Sequence, residues 1–170
     1  QKEYVLRYDD SSFTIQASLD VKEEGLEFIH ISLSAAEASV PPEIELSWTH
    51  VHDDIQGLWH PNAFVNRTIP CVWMGGLESH AAGSAPVALF SSSGKNRHTY
   101  ACSDAVNKIS YRFVLREEDS LWLCSTKLFY SPIAPFTEYE ADFRIDTRDV
   151  NFEDALGEVT EWWENMPEYA

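Results

Sequence analysis

The sequence predicts an all-β fold in which antiparallel strands pack as a sandwich or close as a barrel, with one helix at the C-terminal end. Three observations predict it. Apolar and polar residues alternate with period two along most of the chain, as in strands that bury one face. Short polar or glycine-containing segments separate these runs. Only residues 151–170 carry sustained helical periodicity. On the order of ten strands with so little helix means a sandwich or a barrel.

Taken in chain order, Tyr4, Leu6 and Tyr8 alternate with Val5 and Arg7. Phe13, Ile15, Ala17 and Leu19 then alternate with Thr14, Gln16 and Ser18. Glu23, Glu24 and Gly25 read as a turn, and residues 26–33 as the returning strand. Ile44, Leu46 and Trp48 share one face, with Glu45 and Ser47 on the other. Residues 53–76 hold Trp, Pro and Gly without alternation and read as a long irregular loop or pair of loops, a kind of segment that often carries function. Residues 86–90 are a short apolar run, stopped by a turn composition over 91–96, and a strand follows over 98–102. Ile109, Tyr111, Phe113 and Leu115 form a face opposite Ser110, Arg112 and Arg116. Residues 117–120 make the polar turn of a hairpin, whose second strand covers 121–130 until Pro132 and Pro135 break it. Tyr139, Ala141, Phe143 and Ile145 alternate with Glu138, Glu140, Asp142 and Arg144.

The terminal segment differs in period. Phe152, Ala155, Leu156, Val159, Trp162 and Trp163 fall on one helical stripe. Asp149 or Asn151 can cap its N-terminus, Glu153 and Asp154 suit the positive end of the helix dipole, and Pro167 marks the stop. A stripe ending in two adjacent tryptophans has to be covered, by the strands or by a neighbouring domain. The chain ends without tapering into a tail, so the expectation is a piece of a longer protein with the helix as its link.

A length of 170 residues suits one domain with a single core. The formal charge of -16, from 28 acidic against 12 basic residues, disfavours nucleic acid and anionic membrane as partners. No apolar run is long enough to span a bilayer. No secretory leader is visible, and Gln1 at the N-terminus points to trimming. Cys71, Cys102 and Cys124 are widely spaced and odd in number, which leaves at least one free thiol and gives no zinc-ribbon or thioredoxin-like motif.

Candidate chemistry is sparse. His50, His52 and Asp54 stand in a His-x-His-x-Asp order, part of a metallo-β-lactamase signature, but Ile55 occupies the place of the next histidine and the chain lacks that fold's alternating strands and helices. Neither a metal nor any other cofactor is expected. The stretch 56–62 places Trp59 beside His60 and Asn62, and Trp73 follows before Gly75 and Gly76. An indole stacks on the apolar face of a pyranose while imidazole and amide bond its hydroxyls, so Trp59, His60, Asn62 and Trp73 are the candidate sugar contacts. Neither a nucleophile elbow nor a phosphate-binding glycine loop occurs. The acid pairs lie in turns, and no catalytic residue is nominated.

The C-terminal half resembles a known family. The run from Phe129 and Tyr130 to Phe136 leads into Tyr139, Glu140, Arg144, Asp146 and Arg148. Phe152, Ala155, Leu156, Val159, Trp162, Trp163 and Glu164 follow, and then Met-Pro-Glu-Tyr-Ala to Ala170. This is similar to the N-terminal β-sandwich domain of family 36 glycoside hydrolases, the α-galactosidases and their relatives. The similarity is specific over about residues 110–170. It implies a large antiparallel β-sandwich (supersandwich) over 1–148. A C-terminal linker helix over 149–170 would lead to an absent catalytic (β/α)8 barrel. It also implies a retaining mechanism whose two aspartates come from the barrel and so match no residue here. The expected role is non-catalytic: to support the barrel, and to line a sugar site with the aromatic loop 53–73, in some relatives across a subunit interface. The expected partners are therefore that barrel, a galactoside and a second copy in a homo-oligomer. The other readings are an autonomous carbohydrate-binding module and an interaction or adhesion domain.

Overall fold

The computed structural model describes residues 4–8, 12–40, 44–51, 57–59, 67–68, 72–76, 87–92, 95–103, 110–116, 121–128 and 134–165. Among them are thirteen strands and one helix: β1 (Tyr4–Tyr8), β2 (Thr14–Glu23), β3 (Leu26–Ser39), β4 (Ile44–Val51), β5 (Gly57–Trp59), β6 (Arg67–Thr68), β7 (Val72–Gly76), β8 (Val87–Ser92), β9 (Lys95–Cys102), β10 (Ser110–Arg116), β11 (Leu121–Leu128), β12 (Phe136–Asp146), β13 (Val150–Asn151) and α1 (Phe152–Glu164). All strand pairs are antiparallel. One sheet has the order β1-β4-β11-β10-β7; the other runs β2-β3-β12-β9-β8-β5-β6, with β13 joined to β9.

The two sheets are the layers of a sandwich, so the sandwich alternative holds over the barrel. Ile44, Leu46 and Trp48 from β4 are buried, as their alternation requires. Ile29, Ile31 and Leu33 of β3, Tyr100 and Cys102 of β9, and Ala141, Phe143 and Ile145 of β12 are buried as well. The Trp48 ring lies 5.1 Å from Tyr100, and Tyr100 lies 6.3 Å from Phe143. This aromatic column crosses from one sheet to the other. Each fully buried aliphatic or Phe side chain contributes about 1.5–3 kcal/mol. A second aromatic contact, Phe13 with Phe136 at 5.0 Å and Phe136 with Tyr139 at 5.8 Å, packs the start of β12 against the residue preceding β2.

Helix α1 covers the opposite face of the larger sheet. Ala155 and Val159 are fully buried against Leu89 of β8 and Ala101 of β9, flanked by Phe152, Trp162 and Trp163. The predicted stripe is thus the packing face, and its cover is the sandwich. The Trp162 ring lies tilted against Phe28, with centroids 6.2 Å apart, and Trp163 Nε1 donates to the Cys102 carbonyl at 2.9 Å. Of the two cap candidates Asn151 serves: its side-chain oxygen accepts from the Asp154 amide at 2.8 Å. The helix ends at Asn165; Pro167 lies outside the described residues.

Two expectations are corrected. Residues 53–76 are not one irregular loop, because they contain β5, β6 and β7. These strands have two to five residues, too short for alternation to register, and they form by pairing: β5 with β8, β6 with β5, and β7 with β10. The turn composition over 91–96 marks too wide a break, since Ser91 pairs with Asn96 and Ser92 with Lys95 as strand residues. The turn over 117–120 lies outside the described residues.

The β2–β3 turn depends on Gly25, whose φ of 88° is unfavourable for any side chain. A Cβ there would also stand 3.1 Å from Arg148 Cγ and 3.3 Å from the Arg148 amide nitrogen. Gly25→Ala is expected to destabilise the fold by about 1–2 kcal/mol. Chemical denaturation of the two proteins measures this, and an unchanged midpoint would contradict the turn geometry.

Candidate functional site

The densest chemistry among the described residues is an ion cluster where the helix crosses the sheet. Its origin is the register of β12. Residues 139, 141, 143 and 145 face the other sheet, which sends 142, 144 and 146 to the helix side. Glu138 and Glu140 on that side are exposed, but Arg144 and Asp146 lie under α1 and are 2% and 1% exposed. Charges that would be solvated on a bare sheet are therefore desolvated here, and each needs a partner.

Asp146 supplies the partner. Arg148 binds it through a fork, Nε to Oδ1 at 3.0 Å and Nη2 to Oδ2 at 2.8 Å, and the Arg148 amide donates to Oδ1 at 3.0 Å. Arg144 Nη2 adds a contact to Oδ2 at 3.2 Å. Glu158 reaches down from the helix, and its Oε2 accepts from Arg144 Nη2 at 2.8 Å and from Arg148 Nη2. Arg148 Nη1 extends to Glu23 Oε1 at 2.9 Å, at the end of β2. Two guanidinium groups and two carboxylates thus neutralise one another, with Glu23 at the solvated rim. Two backbone bonds close the same corner: the Thr147 amide donates to the Gly25 carbonyl at 2.7 Å, and the Val150 amide to the Arg148 carbonyl at 3.1 Å. One knot joins the β2–β3 hairpin, the end of β12 and the middle of α1.

The ionisation of the cluster follows its geometry. Burial pushes the Asp146 carboxyl up. The hydrogen bonds from the Arg148 side chain and amide, with the charge of Arg144, outweigh burial, so the group titrates below the usual carboxylate range. Hydrogen bonding to Asp146 drives Arg148 upward despite its partial burial. Burial lowers Arg144 more than Asp146 and Glu158 raise it. Arg144 Nη1 is buried with no acceptor among the described residues, so its desolvation is only partly offset.

A second feature lies on the same face, beyond the helix. His30 Nδ1 stands 2.8 Å from Asp142 Oδ1. A carboxylate only accepts, so Nδ1 is the donor in this contact. Ser103 holds Asp142 from the backbone, its Oγ accepting from the Asp142 amide and its amide donating to the Asp142 carbonyl, both at 2.8 Å. Gln16, Ala17, Ser18, His30 and Ser32 line a shallow groove of about 400 Å³.

The sequence-derived sugar contacts fall elsewhere. Trp59 sits in β5 opposite Leu89 of β8, in the larger sheet; Trp73 sits in β7 opposite Phe113 of β10, in the smaller one. The two tryptophans therefore do not share a strand or a sheet. His60 and Asn62 lie outside the described residues, as do His52 and Asp54 of the metal-like run. Among the described residues no group of three His, Cys, Asp or Glu side chains is placed to hold a metal. Cys102 is buried and free. The ion cluster itself was missed in the sequence. Its signal is Arg-x-Asp-x-Arg over 144–148, opposite charges at alternate positions on a strand that continues into an amphipathic helix.

Asp146→Asn removes the shared anion and leaves two guanidinium groups over a lone Glu158, a loss of about 3–5 kcal/mol for breaking a buried pair. Because the folded carboxyl titrates below its unfolded value, its stabilisation is fully present above about pH 4. It is lost as pH falls through the folded value. The stability gap between wild type and Asp146→Asn should therefore be widest near neutrality and narrow below about pH 4. Denaturant titrations across pH measure it, and a gap constant down to the acid limit would contradict the assignment.

No protein-family model matches the chain, and no curated protein matches it in sequence.

Proposed function

We propose that the chain is the non-catalytic N-terminal sandwich of an α-galactosidase-like glycoside hydrolase, with α1 as the rigid joint to a catalytic (β/α)8 barrel. The observation that carries this reading is the way α1 is held. A terminal helix that only closed a core would need its apolar stripe alone. This one is fixed by Ala155 and Val159 beneath it, by the Trp163–Cys102 hydrogen bond, and by Glu158 in the ion cluster. Such fixation suits an element that sets the position of a following domain. The resemblance to family 36 over residues 110–170 supports a (β/α)8 barrel as that domain, and it includes Arg144, Asp146, Arg148, Trp162 and Trp163, all of which help to hold α1.

In this role the sandwich performs no bond cleavage. The purified chain should not hydrolyse aryl α-galactosides, while the coding sequence after Ala170 should continue into a barrel bearing two suitably spaced carboxylates. Robust turnover by the 170-residue chain, abolished by a point substitution within it, would overturn the reading, as would a stop codon directly after Ala170.

The groove at His30 favours one further reading, an autonomous carbohydrate-binding module, because hydroxyl, amide and imidazole groups converge there. Calorimetry with galactosides separates the two. The supporting-domain reading predicts no heat at millimolar ligand, whereas binding abolished by His30→Ala would favour the module.

A further inference from the structure

The polar row across β2, β3 and β12 has a chemistry of its own. Strand register sets Ser18 of β2 opposite His30 of β3, and His30 opposite Asp142 of β12. Opposed residues of antiparallel strands share a face, with Cβ atoms about 4.5–5.5 Å apart. The larger sheet therefore bears a hydroxyl, an imidazole and a carboxylate in line. This is the order that nucleophile, base and orienting group take in hydrolytic triads.

The contact between base and orienting group is already formed. His30 Nδ1 donates to Asp142 Oδ1 at 2.8 Å, and Ser103 fixes the Asp142 backbone from behind. The two imidazole nitrogens diverge, so a ring with Nδ1 turned to β12 turns Nε2 away from it, to the side on which Ser18 stands. Among the described residues neither Nε2 nor the Ser18 hydroxyl makes a hydrogen bond. In unliganded sites the contact between nucleophile and base is often long and closes only around substrate. The next row supplies the remaining part. Gln16 stands opposite Ser32, and both line the groove with Ser18 and His30. They lie two residues along the same face, about 7 Å from the first row. A carbonyl carbon held over Ser18 can direct its oxygen to the Gln16 amide and the Ser32 hydroxyl, donors of the kind that stabilise an oxyanion. Asp20 follows Ser18 on this face, and Glu140 stands opposite Ser32. Those carboxylates repel an anionic substrate, so the class that fits is a small uncharged ester.

We infer that Ser18, His30 and Asp142 form a hydrolytic site for small uncharged carboxylic esters, with Ser18 as nucleophile, His30 as general base and Asp142 as positioning residue. Ser18 Oγ attacks the carbonyl carbon while its proton passes to His30 Nε2. The bond to the leaving alcohol then breaks, and the alcohol oxygen takes that proton. A water gives its proton to Nε2 and attacks acyl-Ser18, the acid departs, and the proton returns to Oγ. One ester and one water yield one acid and one alcohol. The groove is open to water, so turnover is slow. An ester is not a glycoside, and the supporting role stands or falls separately.

A fluorophosphonate probe and p-nitrophenyl acetate test this on the 170-residue chain with Ser18→Ala, His30→Gln and Asp142→Asn. His30→Gln keeps an amide donor toward Asp142 while removing the base, so the strand contact is retained. Peptide mass spectrometry should find the phosphonate on Ser18, and Ser18→Ala should remain unlabelled there. Ester turnover should fall at least about tenfold in Ser18→Ala and in His30→Gln, with unchanged far-ultraviolet spectra. In Asp142→Asn kcat should fall with KM unchanged. A chain unlabelled at Ser18, or turnover indifferent to Ser18→Ala or His30→Gln, would overturn the proposal. So would an Asp142→Asn variant with undiminished kcat.

Discussion

The structure depends on one constraint: two arginines and two carboxylates must neutralise one another beneath a helix. Arg144, Asp146 and Arg148 are contributed by the end of β12 and the residues after it, and Glu158 by the middle of α1. Their mutual distances leave little freedom in the height or rotation of the helix over the sheet. Apolar contacts at Ala155 and Val159 supply burial, but a stripe of small and branched residues tolerates sliding, whereas forked guanidinium–carboxylate pairs do not. The cluster therefore contributes position more than net stability, consistent with the unpaired Arg144 Nη1 among the described residues.

This constraint also explains why β9 and β12 are buried on both faces. The smaller sheet covers one side through the Trp48, Tyr100 and Phe143 column, and the helix covers the other. Along β12 the pattern passes from one covered face, with Tyr139 half-buried and Ala141 buried, to four consecutive buried residues over 143–146. Toward β2 neither layer reaches among the described residues, and the polar groove at His30 and the exposed Leu19 and Val21 lie there. The sandwich thus has a doubly covered centre, which holds the helix, and an open margin, which is available for contact.

Much of this architecture was legible in the sequence. Period-two alternation located β1, the start of β2 and β3, the faces of β4, and β10 to β12, because one-sided burial leaves that imprint directly. The helix and its stripe were legible for the same reason at a different period. The double burial of Arg144 and Asp146 was not, since alternation assigns both to a solvent face and only the docking of α1 reverses this. Strands β5 to β7 were hidden because two to five residues between Trp, Pro and Gly carry no period. The sugar-contact candidates were chosen by residue chemistry alone, which does not say that Trp59 and Trp73 belong to different sheets. His30 and Asp142 are 112 positions apart, and only strand register makes them neighbours.

The proposed supporting role requires that α1 not move independently of the core. Native-state hydrogen exchange measures that property directly, because amides that open together exchange with one free energy. A helix locked by the ion cluster should open only with the sheet, so amides of α1 around Val159 should exchange with the same free energy as those of Phe143 and Ile145 in β12. Exchange of the helix through a separate opening of much lower free energy, while β12 stays protected, would contradict the central claim.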